Sequence, residues 1–599
     1  MLERSALAGN ALRALHEEDY FRPFETCDLN AETLIHTRGR QALPLDGAWN
    51  FCVDLLDTGL RQRWYAMEPA SPEERDLPWD YDPYVGETVP VPSCWQMLRE
   101  KWYFFEGSVW YTRPLDLTPV PGRRYILRIG AAQYDCKLFV NGSFVGNHAG
   151  GSTPFCADLT GHLRPGRNWL MLCVNNTRTL DRVPMRNSDW FNYGGIYREV
   201  ALYDLPEAFL RSMFVHLVAD GNNRRIRIVV EAEGLSCATV EIPELGVSGE
   251  IAVDGGRGEI ILEAALELWS PENPRLYDVI LRGGDDEIRD RVGFRTVVVR
   301  GHEILLNGRP VWLRGIAVHE DDMLTGKCTS EEDLRRRFLH ARELGCNFLR
   351  LAHYPHHERA AELADELGFL LWEEIPVYWA IDFANPRTFE DARNQLTELI
   401  RRDRNRASVI FWSVGNENAD TDARLAFMTA LASTARDEDG TRLITAACLV
   451  NHAACRIEDR LVDCLDVIGI NEYYGWYEND FADLAAIGRN SEPGKPVLIS
   501  ETGADADISD CGPERGLFSE SYQAEVYRRQ LEILRAIPWV QGMSPWILYD
   551  FRVERRQNVF QRGYNRKGLI AADKATKKEA FRVLSEFYEE VARMEEVRL

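Results

Sequence analysis

Val409-Ile-Phe-Trp-Ser-Val-Gly-Asn416-Glu417 is a short apolar run that closes on a glycine, an amide and a carboxylate. Its apolar part, 409–414, reads as a strand. Working outward, strand candidates lie at 311–316, 347–351, 369–373, 443–448, 465–470, 496–500 and 540–546. Amphipathic segments separate them. Within 331–344, Leu334, Phe338 and Ala341 fall at i, i+4 and i+7, and within 576–592, Phe581, Leu584, Tyr588 and Val591 share one stripe. Eight strand–helix units across 298–599 predict a (β/α)8 TIM barrel with its active site at the strand C-termini. A doubly wound sheet is the competitor, but no Gly-rich phosphate turn follows any of these strands.

Upstream the pattern changes. Residues 206–297 carry strictly alternating strands, with Ile226, Ile228 and Val230 on one face and a further strand at 276–281. About 90 residues of this kind predict an immunoglobulin-like β-sandwich. Residues 1–205 alternate aromatic-rich strands with Gly, Pro and Asn turns. In 134–142, Cys136, Leu138 and Val140 share a face before an Asn-Gly hairpin turn, and strands follow at 124–129 and 169–174. This predicts a jelly-roll sandwich.

The length of 599 residues itself calls for roughly two to four domains. A net charge of −24 with no basic block excludes a nucleic-acid footprint and requires any anionic ligand to find a local cation. Residues 1–20 are polar and acidic where a secretory leader would be apolar, and no window reaches the roughly 20 apolar residues of a membrane span. The 13 cysteines are scattered, without C-x-x-C spacing, as expected of free thiols in a reducing cytoplasm.

At the barrel mouth, strand four delivers Glu417, and Ile499-Ser-Glu501-Thr-Gly503 closes strand seven on Glu501. An isolated glutamate at a strand end is ordinarily a solvated loop charge. Two of them, from opposite sides of one mouth and each beside a Gly-bearing turn, suit a retaining glycosidase, which needs carboxyl groups about 5–5.5 Å apart.

Residues 403–417, DRNRASVIFWSVGNE, resemble the acid/base signature of glycoside hydrolase family 2. Asn347-Phe-Leu-Arg350-Leu-Ala-His353-Tyr-Pro355 is similar to the family's other signature, departing at Leu351, where a small residue is usual. Trp269-Ser-Pro-Glu-Asn-Pro274 resembles its immunoglobulin-like segment, and His148-Ala-Gly-Gly-Ser-Thr-Pro-Phe155 its sugar-binding jelly roll. The resemblance implies that Glu417 is the acid/base, with a pKa raised by burial and negative neighbours, and that Glu501 is the nucleophile of a double displacement. It further implies that Asn416 bonds the sugar 2-hydroxyl and that Tyr473 keeps Glu501 ionised.

Two stretches resemble the β-glucuronidase branch. One is Tyr473-Tyr-Gly-Trp-Tyr477, preceded by Glu472 where that branch usually has arginine; the other is Asn565-Arg-Lys567-Gly568. The resemblance implies that Asn565 and Lys567 hold a C6 carboxylate, with Tyr477 nearby and Arg562 as a second cation. A lysine and an amide suit a carboxylate, whereas a neutral sugar would leave a buried lysine unpaired. The competing reading of 565–568 is a surface turn.

Trp546, at the end of strand eight, is expected to stack on the sugar, or else to fill the core. His319 and His353, after strands one and two, either contact hydroxyls or buttress the carboxylates. Asp158 reads as a turn cap, and adjacent His356 and His357 are a poor chelate, so no metal or cofactor is expected. The short segment 374–385 after strand three predicts an open mouth for larger aglycones. The expected activity is an exo-β-glucuronidase acting on small conjugates or glucuronic-acid-terminated glycans, and as a homo-oligomer, a tetramer in many relatives. A β-galactosidase or β-galacturonidase on the same scaffold, or a carbohydrate-binding protein with an inactive barrel, are the alternatives.

Overall fold

A computed structural model describes residues 28–67, 69, 81–478, 480–508 and 516–598, with side chains through 595. The stretch read for a leader, 1–20, lies outside the described residues. The first sandwich faces a four-stranded sheet (Ala42–Pro44, Val200–Pro206, Arg123–Ile129, Phe155–Asp158) against a six-stranded one. The larger sheet runs Glu87–Val91, Gly47–Asp54, Ser108–Leu117, Gly166–Asn175, Asp135–Val140, Ser143–Ala149. Cys136, Leu138 and Val140 are buried between the sheets, and the hairpin that follows has Asn141 at φ 50° and Gly142 at φ 83°. Two positive φ values in succession match the twist of the flanking strands, which is why Asn-Gly occupies this turn. Phe139, on the opposite face, is equally buried because Trp64 and Tyr65 cover the outer side of the sheet.

The second sandwich sets Phe209–Leu217, Arg225–Glu233 and Arg257–Glu263 against Val247–Ala252, Cys237–Ile242, Tyr277–Gly283 and Asp286–Val292. Ile226, Ile228 and Val230 all point into its core. Trp269 does not. It is buried against the base of the barrel, where its indole donates to the Asp365 carbonyl at 2.9 Å.

The barrel closes from eight parallel strands: β1 (Leu313–Val318), β2 (Phe348–Leu351), β3 (Leu370–Glu374), β4 (Val409–Asn416), β5 (Leu443–Cys448), β6 (Ile468–Asn471), β7 (Val497–Glu501) and β8 (Val540–Met543). Every residue of β4 is buried, since barrel interior and helix layer cover its two faces. The helices are α1 (Glu331–Glu343), α2 (Glu358–Leu367), α3 (Pro386–Asp403), α4 (Asp422–Glu438), α5 (Phe481–Asn490), α6 (Glu520–Leu534) and α7 (Glu579–Arg598). Leu334, Phe338 and Ala341 of α1, and Phe581, Leu584 and Tyr588 of α7, bury the predicted stripes, while Val591 at the far end of the second is only half-buried. One unit departs from the strand–helix expectation. Between β5 and β6 the described chain forms a small hairpin (Val450–Asn451 with Arg456–Ile457) and a single 3-10 turn, Arg460–Cys464. Asp459 caps that turn while holding Arg424 of α4. No described helix is long and apolar enough to cross a membrane.

The first sandwich docks on the barrel through buried charge. Arg198 donates to Glu320 beyond β1 at 2.9 Å and to the Pro355 carbonyl at 2.9 Å. His148 lies against Glu398 of α3 at 3.0 Å. This docking carries the loop 176–194 to the barrel mouth.

Candidate active site

Glu501 ends β7 and Glu417 follows the last residue of β4, both at the C-terminal rim. Glu501 Oε1 accepts from Arg350 Nη1 at 2.9 Å, and Oε2 accepts from the Tyr473 hydroxyl at 2.7 Å. Arg350, fully buried on β2, also donates to Glu374 at 3.1 Å and to Asn416 Oδ1 at 2.8 Å. One guanidinium thus ties four barrel strands together. Burial pushes the Glu501 carboxyl above the usual carboxylate range; Arg350 opposes the shift and the charge of Glu417 adds to it. Burial and the two carboxylates drive the Tyr473 phenol well above 10, so it stays protonated and donates.

Glu417 Oε2 accepts from the Trp379 indole at 2.7 Å, and Oε1 from Asn471 Nδ2 at 2.9 Å. Glu417 has φ 52° and Trp379 φ 53°, left-handed values that cost side-chain-bearing residues about 1–3 kcal/mol each. Backbone bonds hold the pair: Trp379 N–H donates to the Asn416 carbonyl at 3.0 Å, and Asn416 N–H to Val377 at 2.9 Å. Asn416 Oδ1 accepts from both Arg350 and Asn471, leaving its Nδ2 buried with no protein partner.

The two histidines differ. His353 Nδ1 lies 2.7 Å from Glu374 and its Nε2 3.7 Å from Glu501, so it buttresses the carboxylates. His319 Nδ1 meets the Tyr354 hydroxyl at 3.0 Å, while its Nε2 is buried without a protein partner. Burial and nearby cations hold its imidazole neutral, well below its ordinary pKa. Trp546 is buried, stacked on His353 at 4.8 Å and edge-on to His319 at 5.2 Å.

Asn565 and Lys567 are both 1% exposed, which rules out a surface turn. Lys567 Nζ donates to Asp505 at 2.7 Å and to the Tyr477 hydroxyl at 2.8 Å, and it lies 5.6 Å from the ring of Tyr473. The expectation that a neutral sugar leaves this lysine unpaired is therefore corrected, because Asp505 already balances it. Asn565 Oδ1 accepts from the Lys567 N–H at 3.1 Å, and its amide reaches Asp189 at 3.4 Å. Arg562 is also corrected. Its side chain is 60% exposed, directed to Asp507 at 3.3 Å and to the Val559 carbonyl. The cation that lies beside Tyr477 with Lys567 is Arg556, 3.3 Å from the Tyr477 hydroxyl and 2.5 Å from Asp189. Lys567 and Arg556 outweigh burial and bring the Tyr477 phenol below its ordinary value.

Asp158 accepts from the Thr160 N–H at 2.9 Å, capping its turn. His356 turns inward to the Ala352 carbonyl and His357 outward to Glu199, so they do diverge. Among the described residues no group of three or more His, Cys, Asp or Glu could hold a metal ion.

Several residues at the mouth escaped the sequence reading. Arg350 and Glu374 sit at the ends of β2 and β3, where the rule that selected Glu417 would have found them. Asp189 and Trp190 come from the first sandwich, Trp190 packing 5.6 Å from His353 and 5.0 Å from Tyr378. No periodicity in the barrel could reveal them.

Residues 297–593 match the sequence model of glycosyl hydrolases family 2, TIM barrel domain, and residues 43–206 that of the family's sugar binding domain. A β-glucuronidase of Paenibacillus borealis is 28% identical over 594 residues, covering 90% of this chain and 96% of that protein. The crystal structure of Ruminococcus gnavus β-glucuronidase superposes with a TM-score of 0.82 at 26% identity, covering 94% of this chain and 100% of that one. A family 2 β-galacturonidase of Eisenbergiella tayi bound to galacturonate gives 0.80 at 26%, covering 95% and 99%.

Proposed function

Because this chain belongs to glycosyl hydrolase family 2, we propose that it releases glucuronic acid from the ends of β-D-glucuronides with retention of anomeric configuration. The observation that carries the uronide reading is the buried Lys567 ammonium 5.6 Å from the ring of Tyr473, whose hydroxyl bonds Glu501. A sugar placed for attack by Glu501 would bring its C6 substituent toward this cation, Arg556 and Tyr477, and charge-assisted bonds favour a carboxylate there.

In the proposed mechanism Glu501 attacks the anomeric carbon while Glu417 gives a proton to the leaving oxygen. Arg350 and the Tyr473 hydroxyl hold the Glu501 carboxylate before attack and again as it leaves, while in the neutral glycosyl ester the negative charge resides on Glu417. Glu417, now ionised, takes a proton from water, and the hydroxide displaces Glu501. Asn416 Nδ2 would donate to the 2-hydroxyl and neutral His319 would bond a further hydroxyl, over the floor made by Trp546. The test is proton NMR of the first-formed product, with Glu417→Ala assayed in azide. The reading expects β-glucuronic acid first and a β-glucuronosyl azide from the variant; α product first would overturn it.

Galacturonate is the second reading, since the Eisenbergiella tayi enzyme matches as well and both sugars carry the C6 carboxylate. They differ at carbon 4, and the described cysteines, all free, suit a cytoplasmic location for either reading. Glucuronide conjugates or glucuronic-acid-terminated glycans would be substrates of a homo-oligomer. An open mouth for the larger ones is supported by the segment 375–385, which links β3 to α3 in 11 residues.

A further inference from the structure

We propose that Arg555, laid across Trp379, forms an aglycone subsite that selects leaving groups carrying a carboxylate. The proposal rests on the glucuronidase reading above and names the substrate class within it.

The geometry begins at the acid/base. Trp379 donates its indole N–H to Glu417 Oε2 at 2.7 Å. Any leaving oxygen that Glu417 protonates must therefore carry its aglycone past this indole. The guanidinium of Arg555 sits 5.0 Å from the Trp379 ring centroid. Its Nη1 donates to Asn187 Oδ1 at 2.9 Å, a neutral partner. Among the described residues the acid that pairs with it is Asp189, at 3.6 Å, and Asp189 already holds Arg556 at 2.5 Å and the Asn565 amide at 3.4 Å. The side chain of Arg555 is 45% exposed, against 15% for Arg556.

Indole and amide thus fix the guanidinium plane, while its charge is only loosely balanced and open to solvent. A planar, pre-ordered fork of this kind suits a carboxylate and loses little side-chain freedom on binding. Arg556, rather than Arg555, reaches Tyr477 and so belongs with Lys567 at the C6 end. The chain as a whole, at −24, repels anions, which makes a cation beside the leaving group the feature that would admit an anionic one.

The experiment compares kcat/KM for two 4-nitrophenyl β-glucuronides, one with a ring carboxylate and one with the neutral carboxamide at the same position. It uses the full chain as wild type, Arg555→Gln and Arg555→Lys. The expected wild-type preference for the carboxylate is about tenfold. It should collapse toward unity in Arg555→Gln, persist in part in Arg555→Lys, and shrink as salt is raised. Equal rates on both substrates in the wild type would overturn the proposal. So would a loss in Arg555→Gln that falls equally on both, which would assign the residue to the sugar side. Failure of the wild type to cleave either glucuronide would instead overturn the glucuronidase reading, and this subsite with it.

Discussion

Tyr473 touches the proposed nucleophile with one hydroxyl, and that contact has a measurable consequence. A hydrogen bond to a charged group contributes about 1.5–3 kcal/mol, so Tyr473→Phe should lower kcat by about 10- to 100-fold. The sign of the pH effect follows from the same bond. It favours the ionised carboxylate, so its loss raises the Glu501 pKa and moves the acidic limb of the rate profile to higher pH. In the wild type that limb should already lie above the ordinary carboxylate range, because burial raises Glu501. A profile of kcat/KM against pH for both proteins checks the two statements. The positions of Glu417 and Glu501 were legible in the sequence because each sits at or beside a strand end, where the strand's register fixes its place, whereas Tyr473 was singled out only by the resemblance of its motif. The place of Arg562 was not legible, because Arg562 at φ 49° and Gly563 at φ 82° reverse the chain inside a loop. No period runs through such a turn, so the choice among Arg555, Arg556 and Arg562 required the fold.

Strand β3 sends consecutive glutamates in opposite directions. Glu374 faces the barrel interior and joins Arg350 and His353, while Glu373 points outward beneath α3, buried against the Asp403 carboxyl. Burial, with the Asp403 carboxylate beside it and against the pull of Arg402, pushes Glu373 well above its ordinary value. A group raised on folding contributes stability that is full below its unfolded pKa, near 4.5, and is lost as pH rises through the folded value. Glu373→Gln removes that loss. Its melting temperature should therefore gain on the wild type as pH is raised from about 5 to about 8, and thermal scans across that range would show it. The eight strands were visible in the sequence. The fifth unit was not, since its 3-10 turn depends on Asp459 reaching both its own turn and Arg424 across the fold.

The whole molecule supplies to the mouth what the barrel lacks. Asp189 and Trp190 reach it only because the first sandwich is docked by pairs such as Arg198 with Glu320, whose side chains are 4% and 0% exposed. Breaking a buried pair leaves one charge stranded, at about 3–5 kcal/mol. Arg198→Met should cost that much in denaturant unfolding and should weaken turnover with it, although the residue touches neither carboxylate. The pattern of strands, turns and carboxylates could be read along the chain, whereas contacts between its parts could not, because they join residues hundreds of positions apart. The central claim joins both scales: a family 2 barrel whose mouth is set for a uronate. The most direct test is the rate of hydrolysis of matched 4-nitrophenyl β-glucuronide, β-galacturonide and β-galactoside by wild type and Lys567→Ala. The account predicts dominant glucuronide cleavage that falls about 10- to 100-fold in the variant, the loss expected when a charge-assisted contact is removed. Dominant galactoside cleavage, indifferent to Lys567, would contradict it.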